Sequence, residues 1–74
     1  MEGDLDAIIS DMFTYHPWDQ EKIRKGNLVR EALEFACKCI MLNVPDSADR
    51  DSAIRKLREC RMDCNSAITH DGKY

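Results

Sequence analysis

Apolar residues recur at three- and four-residue spacing in three stretches of the chain, and residues that start or stop helices bound each stretch. Leu5, Ile8, Ile9, Met12 and Phe13 share one face of a short helix expected over about 4–13, with Asp4 suited to cap it. Thr14-Tyr15-His16-Pro17-Trp18-Asp19 then reads as a connector, because Pro17 opposes helical backbone at His16 and Asp19 can cap the next helix. That second helix, over about 20–42, carries a stripe of Ile23, Val29, Leu33, Ala36 and Ile40, widened by Ala32, Phe35, Cys37 and Cys39. Gly26 lies inside it at a cost of about 1 kcal/mol against alanine, which points to a close approach by another backbone or by a ligand.

Asn43-Val44-Pro45-Asp46 is a short turn, and Ser47 opens a third helix, over about 47–70, whose first turn holds Asp49 and Asp51. Ala53, Leu57, Cys60, Cys64 and Ala67 alternate spacings of four and three, the seam of a helix packed nearly antiparallel on another, and Gly72 is the expected stop. The turn is so short that the second and third helices must fold back as a hairpin. The chain is therefore expected to be all-α, a single helical domain over 1–74 with a short N-terminal helix and an antiparallel helical hairpin. Its first few residues and Asp71 to Tyr74 read as loose.

Seventy-four residues bury only about 60% of the unfolded surface, and such a small core needs support from disulfides, a metal or copies of itself. The small residues of the third helix permit close packing, which favours a homo-oligomer. Cys37, Cys39, Cys60 and Cys64 follow no hydrophobic leader, so reduced thiols in a cytoplasm are the simpler reading. The richest apolar stretch, Leu33 to Met41, is broken by Glu34 and Lys38, which argues against a membrane span. A formal charge of −3 with 34% charged residues gives a surface of both signs, unsuited to attracting DNA or RNA by its overall field.

Candidate chemistry is sparse. Cys37 and Cys39 point to different helix faces, while Cys60 and Cys64 share one; neither pair has zinc-knuckle spacing, and small thiols buried along the hairpin are the plainer reading. His16 and His70 lie far apart in sequence, with no defensible pairing to a nucleophile. No metal, cofactor or catalytic group is therefore expected. The distinctive feature is Tyr15-His16-Pro17-Trp18 just ahead of a helix bearing Arg24, Lys25 and Arg30. An aromatic face stacks on a nucleobase and a guanidinium grips phosphate oxygens, a pairing that suits a small anionic nucleotide. The alternative is that Tyr15 and Trp18 staple the first helix to the hairpin. Arg50, Arg55, Lys56, Arg58 and Arg61, mixed with acids, read as a solvated face from which Arg61 can reach a subunit boundary.

Phe13-Thr14-Tyr15-His16-Pro17, Val29-Arg30-Glu31-Ala32, Ser47-Ala48-Asp49-Arg50, Ala53 to Arg58 with Met62, and Asn65-Ser66-Ala67-Ile68 together resemble, in order, a phage family of small helical cyclic-oligonucleotide sponges. Such proteins counter the bacterial antiphage signalling known as CBASS by sequestering its messengers unbroken. The resemblance spans about Phe13 to Gly72 and implies a compact oligomer, commonly a hexamer, with pockets between subunits, acting in the cytoplasm of an infected bacterium. It implies base stacking by Tyr15 beside His16, phosphate contact by Arg30 or Lys25, and a second pocket for cyclic trinucleotides with Arg61 and Asn65 as candidates. Gly26 stands where the family has a tyrosine and Glu34 where a lysine is common, which implies a pocket of different size or charge. Two other classes compete: a small adaptor that binds protein through an exposed apolar seam, and an enzyme acting on such messengers.

Overall fold

A computed structural model of the chain describes residues 2–74, with side chains over 3–74; Met1, the first residue of the expected domain, lies outside the described residues. Three helices and no strand occur among the described residues: α1 (Glu2–Phe13), α2 (Gln20–Asn43) and α3 (Ala48–Thr69).

The helix ends follow from local chemistry. Asp19 accepts the Lys22 amide at 2.9 Å and Ser47 Oγ accepts the Arg50 amide at 3.1 Å, so both long helices have side-chain N-caps as expected. Asp46 adds an ion pair to Arg50 at 3.2 Å across the turn. At the other end of α2 the Val44 amide still bonds the Ile40 carbonyl, and Pro45 prevents any further turn. α3 closes in a Schellman motif: the Gly72 amide bonds the Ala67 carbonyl at 2.9 Å, and Asp71, not the glycine, takes the first left-handed position at φ 53°. Gly72 follows at φ 76°, so the expected stop is real but the helix ends three residues before it, at Thr69. Asp4 is a correction: α1 already runs from Glu2, which places Asp4 in the first turn, where its charge still complements the helix dipole.

α2 and α3 pack on each other as the hairpin, the start of α2 lying against the end of α3, where Lys22 Nζ donates to the Thr69 carbonyl at 3.1 Å. Val29, Leu33, Ala36, Cys37 and Ile40 turn toward α3; Ala53, Ile54, Leu57, Cys64 and Ile68 turn toward α2. The α2 stripe is thus narrower than its sequence suggests, since Ala32, Phe35 and Cys39 face solvent. On α3 the seam is rotated: Cys60 and Ala67 are exposed, and Ile54 and Ile68 take the inward places. Larger aliphatic side chains gain more from burial than a thiol or a methyl, so the helix turns toward them. Cys39 and Cys60 are therefore not the buried thiols expected.

α1 packs on neither long helix. The molecule measures 51 × 29 × 15 Å with a radius of gyration of 16.2 Å, against about 11 Å for a compact chain of this length. Among the described residues no apolar side chain is fully buried, and Leu5, Ile8, Ile9, Phe13, Phe35, Leu42 and Met62 all stand in the open. A single chain thus leaves an exposed apolar surface of a kind that ordinarily marks an interface. No helix among the described residues is long and apolar enough to cross a membrane.

Candidate functional site

The connector between α1 and α2 is fixed by one of its two aromatics. Trp18 Nε1 donates to Thr69 Oγ1 at 2.7 Å, and the six-membered ring of the indole packs on Gly26, where even a methyl group would overlap it. Gly26 is the one buried residue of α2. The close approach expected there is real, and its source is this side chain; the extra helix cost of glycine is offset by seating a large ring. Trp18 thus pins the connector to the hairpin and does not staple the first helix to it, since α1 packs on neither long helix.

Tyr15, three residues earlier, is 84% exposed. It borders a hollow of about 530 Å³ whose walls include Thr14, His16, Pro17, Trp18, Ile23 and Thr69. Pro17 restricts the backbone and Trp18 supplies part of the wall, and Tyr15 stands at the rim of this mostly apolar dish with its side chain open to solvent. The two aromatics that the sequence leaves undivided thus separate into an anchor and an exposed rim residue.

The basic candidates lie elsewhere. Lys25 borders a different hollow with Lys22, Ala67, Ile68 and Asp71, and its ammonium stands 3.9 Å from Glu21, which Arg24 already holds by two hydrogen bonds. Those bonds from Arg24 keep the Glu21 carboxyl below its ordinary value. Arg30 lies about 15 Å along α2 from its first residue, on another part of the surface. It borders a groove between the long helices with Arg58 and Arg61 around a floor of Leu33, Cys37, Ile54 and Leu57, and its guanidinium is 3.4 Å from Glu34. Among the described residues no carboxylate comes within 4.0 Å of Arg58 or Arg61. Arg61 also joins Asn65, Arg58 and Met62 around a shallow hollow on the outer side of α3.

The six residues singled out in the sequence are therefore grouped as Tyr15 with His16, Arg30 with Arg61, Arg61 with Asn65, and Lys25 apart. Within one chain Tyr15 and Arg30 border different pockets. Arg58 is a basic neighbour that spacing alone assigns to the solvated face. Its three-residue spacing puts it beside Arg61 on α3, but its place in the groove with Arg30 depends on how α3 rolls against α2, and the displaced seam shows that this roll is hard to read from the sequence.

His16 carries a second surprise. Its Nε2 lies 2.7 Å from the Asp11 carbonyl oxygen and 3.5 Å from Asp11 Oδ1, and its ring meets that of His70 edge-on at 5.2 Å. The two histidines, unrelated in sequence position, are neighbours in space. Tyr74 donates to Asp11 Oδ2 at 2.8 Å and Lys73 stands 3.5 Å from the same oxygen; with the Tyr74 hydrogen bond leading, they hold the Asp11 carboxyl below its ordinary value. The same bond pushes the Tyr74 hydroxyl up. The tail expected to be loose is in fact folded against the end of α1.

The thiols offer little chemistry. Burial raises the Cys64 thiol above its ordinary value, and the hydrogen-bonded thiol of Cys60 one turn earlier adds to the shift, which lowers its reactivity at neutral pH. No protein-family model matches the chain, and neither the curated proteins nor the solved structures give a match.

Proposed function

We propose that the chain sequesters a cyclic oligonucleotide messenger without breaking it, as a homo-oligomer, commonly a hexamer in the phage family it resembles, and so blocks CBASS-type signalling in the cytoplasm of an infected bacterium. The observation that carries this reading is Tyr15: a large aromatic side chain, 84% exposed, beside Pro17 and Trp18 at the rim of a hollow of nucleotide-ligand size. A nucleobase stacked there gains about 1–3 kcal/mol.

The phosphates need a cation that the Tyr15 hollow lacks in one chain. Arg30 or Lys25 of a second copy would supply it, and a two-fold interface would present ring and cation twice to a ligand with two bases and two phosphates. The bare apolar face of α1 supports such an assembly. The groove of Arg30, Arg58 and Arg61 and the hollow of Arg61 and Asn65 suit a second anionic ligand, for which a cyclic trinucleotide is the candidate. Trp18 fills the space above Gly26, so this pocket has an indole wall where relatives of the resembled family carry a tyrosine on the helix.

Binding without turnover is part of the proposal: sequestration requires affinity and copy number only. The test is incubation of the protein with a panel of cyclic di- and trinucleotides, followed by removal of free ligand, heating and chromatography of the released material. Recovery of one unchanged messenger is the expected result. Converted product would replace the sponge with an enzyme, and depletion of none of them would sink the nucleotide reading. A protein-binding adaptor then takes its place, favoured by the apolar face of Leu5, Ile8, Ile9, Met12 and Phe13.

A further inference from the structure

Three segments distant in sequence converge beside the hairpin base: the end of α1 with Asp11, the connector with His16, and the residue after α3, His70. One donor atom from each lies within 4.8 Å of the other two, and the residues border a half-open hollow of about 280 Å³. We propose that Asp11, His16 and His70 form a zinc site that clamps α1 and the C-terminal tail to the base of the hairpin.

Donor chemistry selects the ion. Two imidazoles and one carboxylate are a borderline nitrogen-and-oxygen set that suits zinc, whereas calcium or magnesium takes oxygen alone. Ligands at about 2.0–2.1 Å in a tetrahedron stand about 3.3 Å apart, so the three side chains must close by about 1.5 Å at their widest. Both Asp11 and His16 are about one-third exposed and have room to turn. The fourth position faces the hollow and takes water.

The surroundings divide the work of the Asp11 carboxylate. Oδ1 faces His16, while Oδ2 accepts from the Tyr74 hydroxyl, an outer contact of the kind that orients a metal-binding carboxylate. His16 Nε2 donates to the Asp11 carbonyl at 2.7 Å, so for Nε2 to take the ion the ring must turn off that oxygen and carry its proton on Nδ1. Two ammoniums stand nearby and oppose a cation. Lys22 is already paired with Asp71 at 3.4 Å, and Lys73, two-thirds exposed, can swing into solvent.

The gain is in the architecture. α1 packs on neither long helix, and its link to the hairpin base runs through this cluster. An ion bound by all three segments would fix the angle of α1, and with it the connector that carries Tyr15. Zinc binding here requires no nucleotide, although His16 also borders the Tyr15 hollow and links the two sites.

The test uses the full untagged chain, titrated with zinc chloride and followed by the ring-nitrogen resonances of its two histidines, the only ones in the sequence. Both are expected to shift together and saturate at one ion per chain, with a thermal midpoint several degrees higher that a chelator reverses. Asp11→Asn and His70→Ala are expected to lose that rise. Cobalt(II) is the control for the cysteines: visible bands without a thiolate-to-metal charge-transfer band support the site, and a strong thiolate band places the metal on the cysteines and overturns it. Unmoved histidine resonances at millimolar zinc in the wild-type chain overturn it also, independently of how any variant folds.

Discussion

At the base of the hairpin Trp18 reaches across to Thr69 and sits on Gly26, and Lys22 ties the same threonine to Asp71; on α1, five apolar side chains remain at least 40% exposed. The first region is closed by its own sequence: the ring has a glycine to lie on, its N–H has an acceptor, and the end of α3 has a cap. The second is a helix with a good apolar face and nothing of its own chain beneath it. Exposure here sorts residues by task. The contacts that hold one chain together lie at the base, and the side chains that face outward, Tyr15 included, are those the proposed function assigns to another molecule.

The sharpest way to break that division is to remove the anchor. Trp18→Ala deletes the ring, its hydrogen bond and the cover over Gly26, and should cost about 3 kcal/mol, the lower end for loss of a large aromatic. For a chain this small that is much of its stability, so its urea midpoint, read by helical circular dichroism, should fall toward zero denaturant. Gly26→Ala attacks the same contact from below. Alanine favours a helix by about 1 kcal/mol, but the clash costs about 1–3 kcal/mol, so net loss of stability is expected where helix propensity alone predicts gain. A stabilised Gly26→Ala variant would mean that the ring does not lie there.

Charge on α1 tests the other side. Ile8→Glu with Ile9→Glu exposes no new core in a single chain, so the hairpin should keep its helical signal. Sedimentation equilibrium should nonetheless show the proposed assembly falling to smaller species, because charged groups desolvated at an interface cost several kcal/mol. An unchanged mass would leave the apolar face to a different partner and favour the adaptor. Tyr15→Ala is expected to do the reverse. Stability should change by no more than about 0.5 kcal/mol, as for an exposed position, while loss of base stacking weakens ligand binding by about 1–3 kcal/mol per base in calorimetric titration.

Much of the fold is legible in the sequence because its signals are local. Asp19 and Ser47 act over three residues, Pro17 and Pro45 on the residue before them, and the apolar spacing of each helix on its own turns. Hairpin topology follows from the shortness of the turn. The residues that escape such reading depend on how α3 rolls and slides on α2. That roll puts Ile54 and Ile68 inward in place of Cys60 and Ala67, and it sets Arg58 and Arg61 beside Arg30. It also brings His70 to His16 and Thr69 to Trp18 across 51 residues. Gly26 is the one sequence sign of such a long-range contact, since a glycine inside a helix is unfavourable unless something needs the space. Tyr15 and Trp18 cannot be told apart by spacing because both are aromatic and flank the same proline; only the partner at Thr69 separates them.

Thr69→Val isolates the smallest part of the base. The substitution keeps the shape of the side chain and removes only the acceptor for Trp18 Nε1, leaving the Thr69 carbonyl free to hold Lys22. A hydrogen bond of this kind contributes about 1 kcal/mol net, and the abandoned indole N–H is only partly buried, so water recovers some of the loss. The expected cost is therefore about 0.5–1 kcal/mol, with Trp18 fluorescence shifted to longer wavelength as its N–H turns to solvent. Because the ring stays over Gly26, this variant should keep the Tyr15 rim in place and bind ligand like the parent. A large loss of ligand from so mild a change would show that anchor and rim are not separate after all, and that the connector works as one unit.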